Sequence, residues 1–183
     1  MIRDLANVPN AVSLVRIGLI PVFVWLLIIG EYTWAGILFG FIGATDWIDG
    51  YLARRLDQVT EIGKILDPVA DRAAVVIAVI GGIIVGVLPS WFGWGLIVRE
   101  AAIGIGALWG WRHGVDRLDV RWLGKTATFG VYVAVTLFYI GEGSDLDVVI
   151  VAANLVGLPS LVMYYWVGVE YLGDMRRAAA EQK

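Results

Sequence analysis

Six stretches of about twenty mainly apolar residues dominate this 183-residue chain, at positions 11–30, 34–54, 63–88, 91–111, 121–140 and 147–171. A helix rises about 1.5 Å per residue, so about twenty residues cross the roughly 30 Å hydrocarbon core of a bilayer. Runs of this length satisfy their backbone groups in lipid only as helices. The expected fold is an all-α integral membrane protein, with six transmembrane helices in one bundle and residues 1–183 as a single domain. Residues 1–10 are expected to form a short interfacial segment, with Pro9-Asn10 introducing the first span. A mean hydropathy of +0.77 and only 17% charged residues fit this class. Arg16 interrupts the first stretch and no small-residue cleavage site closes it, so it is taken as a retained helix rather than a signal peptide.

The connections separate by charge. Residues 31–33, 89–90 and 141–146 contain no Lys or Arg. The opposite side holds Arg3, then Arg54, Arg55 and Lys64, then Arg112, Arg117, Arg121 and Lys125, then Arg176, Arg177 and Lys183. By the positive-inside rule both termini face the cytoplasm of a multi-pass plasma-membrane protein. Tyr32, Trp34, Trp91, Trp94 and Tyr139 are assigned to the outer aromatic belt, and Trp109, Trp111 and Trp122 to the inner one. Glycines four apart (Gly36 and Gly40, Gly82 and Gly86, Gly106 and Gly110) suit close helix packing within one bundle. No nucleic-acid partner is expected.

Against this apolar background stand four aspartates: Asp46-x2-Asp49-Gly50-x2-Ala53-Arg54, then eight residues, then Gly63-x3-Asp67-x3-Asp71. A charge inside a bilayer costs at least ~2.5–3.5 kcal/mol, which makes each one a functional candidate. Asp46 and Asp49 precede the end of span two by about 12 and 7 Å; Asp67 and Asp71 follow the start of span three by about 6 and 12 Å. Each pair shares one helix face, and the short loop makes the two helices antiparallel neighbours. The chain has no Cys and one His, His113, which excludes Cys-ligated and multi-His metal sites. Hard, oxygen-ligated cations such as Mg²⁺, Mn²⁺ or Ca²⁺ remain. Four carboxylates can hold one or two Mg²⁺ ions and leave room for a substrate phosphate. Gly50 and Ala53 keep the face narrow, Arg54 offers a donor fork suited to phosphate, and Pro68 sits where a missing N–H is least costly. Two alternatives compete. One is structural ion pairing with Arg54, Arg55, Lys64 and Arg72. The other is a cation channel or transporter, although no acidic residue continues outward through spans two or three.

The spacing Asp-x2-Asp-Gly-x2-Ala-Arg-x8-Gly-x3-Asp-x3-Asp resembles the signature of the CDP-alcohol phosphatidyltransferases at all eight named positions. At about 7% per residue type, such a match arises by chance at a given start with a probability below about 10⁻⁸. The resemblance implies transfer of a phosphatidyl group from CDP-diacylglycerol to an acceptor alcohol, with release of CMP. It implies Mg²⁺ or Mn²⁺ on Asp46, Asp49, Asp67 and Asp71, with Asp71 also the candidate base. It places CDP against Asp49, Gly50, Ala53, Arg54 and Gly63, and it implies a homodimer among membrane lipids.

Pro9-Asn10-x3-Leu14-x-Arg16-x4-Pro21, Arg99-Glu100 and Trp122-x-Gly124-Lys125 resemble the phosphatidylglycerophosphate synthase and cardiolipin synthase branch. The first acceptor expectation is glycerol 3-phosphate. The alternative is phosphatidylglycerol, toward which Leu123-Gly124-Lys125-Thr126-Ala127-Thr128-Phe129 leans by its likeness to actinobacterial members. An anionic acceptor needs cations, and Arg121, Lys125, Arg117 and Arg112 are the candidates. For Arg112 and Arg117, sidedness or attraction to anionic lipid heads is the favoured explanation; Arg121 and Lys125 lean toward function. Arg99 and Glu100, about 17 Å from the inner end of span four, are expected to need separate partners because adjacent helical residues point apart. Arg16 and Arg99 either neutralise an aspartate or touch substrate. His113 is expected to be solvated.

Overall fold

The computed structural model describes the backbone of residues 8–56, 63–115 and 122–181, and side chains within 15–45, 72–115 and 122–180. The described backbone is helical: α1 (Val8–Ile28), α2 (Tyr32–Leu56), α3 (Gly63–Ile84), α4 (Ser90–Arg112), α5 (Trp122–Gly143) and α6 (Asp147–Glu181). By length and composition, α4, α5 and the stretch Asp147–Ala180 of α6 can each cross a membrane. The described side chains of α1, α2 and α3 form shorter apolar stretches, Val15–Ile28, Tyr32–Thr45 and Arg72–Ile84. The exterior is apolar, with Trp25, Ile84, Trp122, Phe129, Val148 and Leu155 all exposed. Such a surface is at home in lipid, not in water.

Side-chain pairs fix the helix directions. Phe23 of α1 meets Phe39 of α2, so these two run antiparallel across a three-residue turn. Leu27 of α1 packs on Gly81 of α3, and Ile20 shares a crevice with Ala74 and Ile77, so α1 and α3 run parallel. Gly93 of α4 receives Ile83 and Val79 of α3, giving an antiparallel pair. On α4, Gly95 and Gly110 meet Leu161 and Met175 of α6, two helices in parallel. Gly130 and Gly141 of α5 meet Ser160 and Ile150 of α6, and Gly36, Gly40 and Gly43 of α2 meet Tyr139, Thr136 and Tyr132 of α5, both antiparallel. Successive helices therefore alternate in direction. The ends of α2 and α4 and the starts of α3 and α5 lie at the same end of the bundle as the start of α1 and the end of α6.

The core is assembled from Phe23, Phe39, Phe92, Phe138 and Tyr139, with small residues where helices approach. The glycine pairs on α2 and α4 make such approaches inside the chain. A Cβ at Gly36 would stand 2.8 Å from Tyr139 Cβ and 3.0 Å from the Thr136 carbonyl.

Four expectations need correction. Gly86 is not a packing glycine: its φ of +81° lies in the turn after α3, where glycine is needed, and only Gly82 of that pair packs. Tyr139 is not a belt residue. The helix continues to Gly143, which leaves Tyr139 inside the core at 0% exposure, its hydroxyl donating to the Ala78 carbonyl at 2.7 Å. The final helix runs ten residues past 171, because Met175 and Ala179, one turn apart, extend its buried face. Val8, Pro9 and Asn10 already belong to α1; residues 1–7 of the expected interfacial segment lie outside the described residues.

Gly36→Val should destabilise the protein by roughly 1–3 kcal/mol by overpacking the α2–α5 seam. Tyr139→Phe should cost less, about 0.6–1.7 kcal/mol for one interhelical hydrogen bond. Thermal unfolding in detergent measures both, and the order of the two losses is the check.

Candidate active site

The eight named motif positions fall on two helices. Asp46, Asp49, Gly50, Ala53 and Arg54 occupy the last three turns of α2. Gly63 opens α3, and Asp67 and Asp71 follow within it. Regular helix at both places keeps Asp46 with Asp49, and Asp67 with Asp71, on common faces. The side chains of these eight motif residues lie outside the described residues.

Neighbouring described residues set their level. Ile20 and Phe23 of α1, Phe39 and Ile42 of α2, and Ala74 and Ile77 of α3 line one crevice. One turn from it toward the connection end brings α1 to Arg16, α2 to Asp46 and α3 to Asp71. The same count follows from Phe23 against Phe39 and Leu27 against Gly81. Three helices thus bring a cation and two carboxylate positions to one level, and a second turn brings Asp49 and Asp67. Arg16 is only 2% exposed and is engaged by a neighbour there.

A second polar group lies one residue beyond Asp71. Arg72 Nη1 reaches Glu100 Oε2 of α4 at 3.5 Å. Arg99 Nη1 donates to Glu100 Oε1 at 2.8 Å, and the Tyr164 hydroxyl of α6 donates to the same oxygen. The Arg99 guanidinium lies 3.5 Å from the centre of the Tyr164 ring and its Nε donates to the Tyr164 carbonyl at 3.4 Å. Arg99 and Glu100 therefore do not need separate partners. Both long side chains bend toward α6 and close the angle that separates adjacent helical positions. Among the described residues, Arg99 engages Glu100 and Tyr164; the aspartates it was expected to neutralise have side chains outside the described residues. Arg72, a candidate partner for the aspartates, has Glu100 as its partner among the described residues. Tyr164 escaped sequence reasoning because one tyrosine in an apolar helix carries no signal until the α4–α6 register places it beside Arg99.

The acceptor candidates are spread around the α4–α5 connection. Arg112 ends α4 and is exposed; Lys125 is exposed in the first turn of α5. Arg117 and Arg121 lie outside the described residues. His113 is exposed, as expected. Its ring stacks on Trp109 and its Nδ1 lies 2.8 Å from the Trp109 carbonyl, which places it as the end-piece of α4.

The donor set suits a hard divalent cation: four carboxylates, with no sulfur and no imidazole near them in sequence. Chemically, this end of the bundle can bind a charged head group while apolar helix faces flank its tails.

A family model described as CDP-alcohol phosphatidyltransferase matches residues 6–167. Cardiolipin synthase (CMP-forming) from Streptomyces coelicolor is 33% identical over 182 residues, covering 93% of this chain and 83% of that protein. A probable phosphatidylglycerophosphate synthase from Mycobacterium tuberculosis is 32% identical over 181 residues, covering 94% and 83%. CDP-diacylglycerol–glycerol-3-phosphate 3-phosphatidyltransferase from Pectobacterium atrosepticum is 32% identical over 191 residues, covering 96% and 98%.

The absence of cysteine gives a clean test of the register. Ile20→Cys with Ala74→Cys should cross-link through a short bifunctional thiol reagent in the folded protein. Ile37→Cys, on an exposed face of α2, should not link to Ala74→Cys. Gel mobility reports both.

Proposed function

Given that this chain belongs to the CDP-alcohol phosphatidyltransferase family, we propose that it transfers a phosphatidyl group from CDP-diacylglycerol to a glycerol hydroxyl, releasing CMP, in phospholipid biosynthesis. The observation that carries this is the complete eight-residue spacing on two helices, with Arg16, Asp46 and Asp71 brought to one level by the crevice above them.

The roles follow from residue chemistry. Gly50 and Ala53 leave a low face on α2 for the cytidine diphosphate, with Gly63 at the start of α3 across the connection. Arg54 donates to the diphosphate oxygens. Arg16, buried at the carboxylate level, offsets part of their charge. Asp46, Asp49, Asp67 and Asp71 would hold Mg²⁺ or Mn²⁺. When bound, such an ion offsets diphosphate charge and stabilises the departing phosphate. Asp71 accepts the proton of the acceptor hydroxyl. That oxygen forms a bond to the phosphorus bearing the lipid, the bond from that phosphorus to the CMP oxygen breaks, and CMP leaves. Positioning and electrostatics supply most of the acceleration, as in phosphoryl transfer generally.

The arrangement in the membrane belongs to the same proposal. All six helices span, in a single domain, with both termini and the site on the cytoplasmic side. The alternating directions and the basic residues at the connection end support it. Gly36, Gly40, Gly106 and Gly110 pack within the chain, so a homodimer would use other faces.

Glycerol 3-phosphate is the first acceptor. Phosphatidylglycerol is the second reading, favoured by the Streptomyces relative and by the 123–129 stretch. Both present a glycerol hydroxyl on a phosphate-bearing molecule, which suits Lys125, Arg121, Arg117 and Arg112. The channel alternative is disfavoured by the lack of any acidic residue from Tyr32 to Thr45 or from Arg72 to Ile84.

Purified protein given CDP-diacylglycerol and Mn²⁺ should release CMP with one of these acceptors, and chromatography of the lipid product identifies which. Asp67→Asn and Asp71→Asn should each lower release by at least about 10³-fold while the protein still inserts and melts normally, and EDTA should abolish it. Full activity in either variant would contradict the assignment.

A further inference from the structure

The Arg72–Glu100–Arg99–Tyr164 group has more polar capacity than helix packing requires. Arg99 and Glu100 of α4 form a unit with Tyr164 of α6, which is also hydrogen-bonded to Thr128 of α5; the two charged side chains are 12% and 23% exposed. Gly168, one turn along α6, packs beside Arg99 and Ile103. The unit satisfies Glu100 Oε1. The second oxygen, Oε2, lies 3.5 Å from Nη1 of Arg72 on α3. Arg72, its side chain 65% exposed, is the member contributed by α3, and it directly follows Asp71 in sequence.

The register agrees. Gly93 against Val79 sets α4 on α3, and counting seven residues along each helix brings Glu100 opposite Arg72. A network that served only α4, α5 and α6 would close without Oε2. Its open arm ends on the turn that carries Asp71.

We infer that Glu100 is a positioning residue: through Arg72 it holds the Asp71 turn of α3 against α4 and α6. This rests on the reading of Asp71 as a catalytic group. Removing one end of a clamp should displace the aspartates slightly without emptying the substrate site. A shift of about 1 Å at a reacting group can cost about 10²-fold in rate.

The test compares Glu100→Gln, Arg72→Gln, the double variant and Tyr164→Phe. The two glutamine variants should each lower kcat by about 10–100-fold, with KM for CDP-diacylglycerol within about threefold. The double variant should be no more than about threefold below the worse single, because both remove one interaction. Arg72→Lys should recover part of the loss. Nitroxides at Val76→Cys and Val98→Cys, both exposed, should give one narrow distance in the parent and a broader or shifted one with Glu100→Gln.

Normal kcat and an unchanged distance in Glu100→Gln would overturn the inference, as would losses that multiply in the double variant. If Glu100→Gln fails to fold, Tyr164→Phe removes one hydroxyl only and should still lower kcat about 2–10-fold; an unchanged kcat there overturns it. An active parent, a dead Asp71→Asn and a normal Glu100→Gln would refute the clamp alone. A parent that releases no CMP would refute the catalytic reading, and the nitroxide distance would then decide the clamp.

Discussion

A charge in hydrocarbon persists only if something beside it offsets the loss of water. In this chain that constraint fixes which helices meet. Arg16 is buried on α1 at the level where α2 and α3 carry Asp46 and Asp71. Arg99 and Glu100 sit in the middle of α4 and are tolerated because Tyr164 of α6 and Arg72 of α3 complete them. The apolar core of Phe23, Phe39, Phe92, Phe138 and Tyr139 supplies cohesion. The polar residues supply the register, since sliding one helix by a turn would strand a charge.

The consequence for function is a division of the bundle. Toward the Pro89 and Gly143 end, helices meet through glycine and aromatic rings. Toward the connection end, the same helices carry the aspartate motif and Arg16. In the proposed reaction, a lipid whose head is a diphosphate would find its charge complement at that end and an apolar wall beside it. Membership of the CDP-alcohol phosphatidyltransferases gives this arrangement a reaction, and the geometry explains why a membrane bundle hosts it.

Much of this was legible in the sequence because its signals are local. Helix limits follow from the length of apolar runs, and the observed starts and ends of α2, α4 and α5 lie within three residues of those expected. The aspartate spacing is a pattern along one chain and needs no tertiary information. What escaped was set by contacts between distant segments. Tyr139 resembles a belt tyrosine until α3 presents the Ala78 carbonyl to it. Gly86 resembles a packing glycine until the turn demands its positive φ. Arg99 and Glu100 seemed to diverge because helical wheel geometry ignores how far long side chains bend. Tyr164 joined them only through the parallel register of α4 and α6.

The central claim is that Asp46, Asp49, Asp67 and Asp71 form one cation-binding site at the connection end of the bundle. Paramagnetic broadening by Mn²⁺ tests it most directly, using a nitroxide at Ala44→Cys, two residues before Asp46, and another at Ile84→Cys. Ile84 is thirteen residues from Asp71, about 20 Å along α3. Added Mn²⁺ should strongly broaden the Ala44 label, leave the Ile84 label sharp, and lose its effect in Asp67→Asn. Equal broadening at both labels, or none at Ala44, would contradict the account.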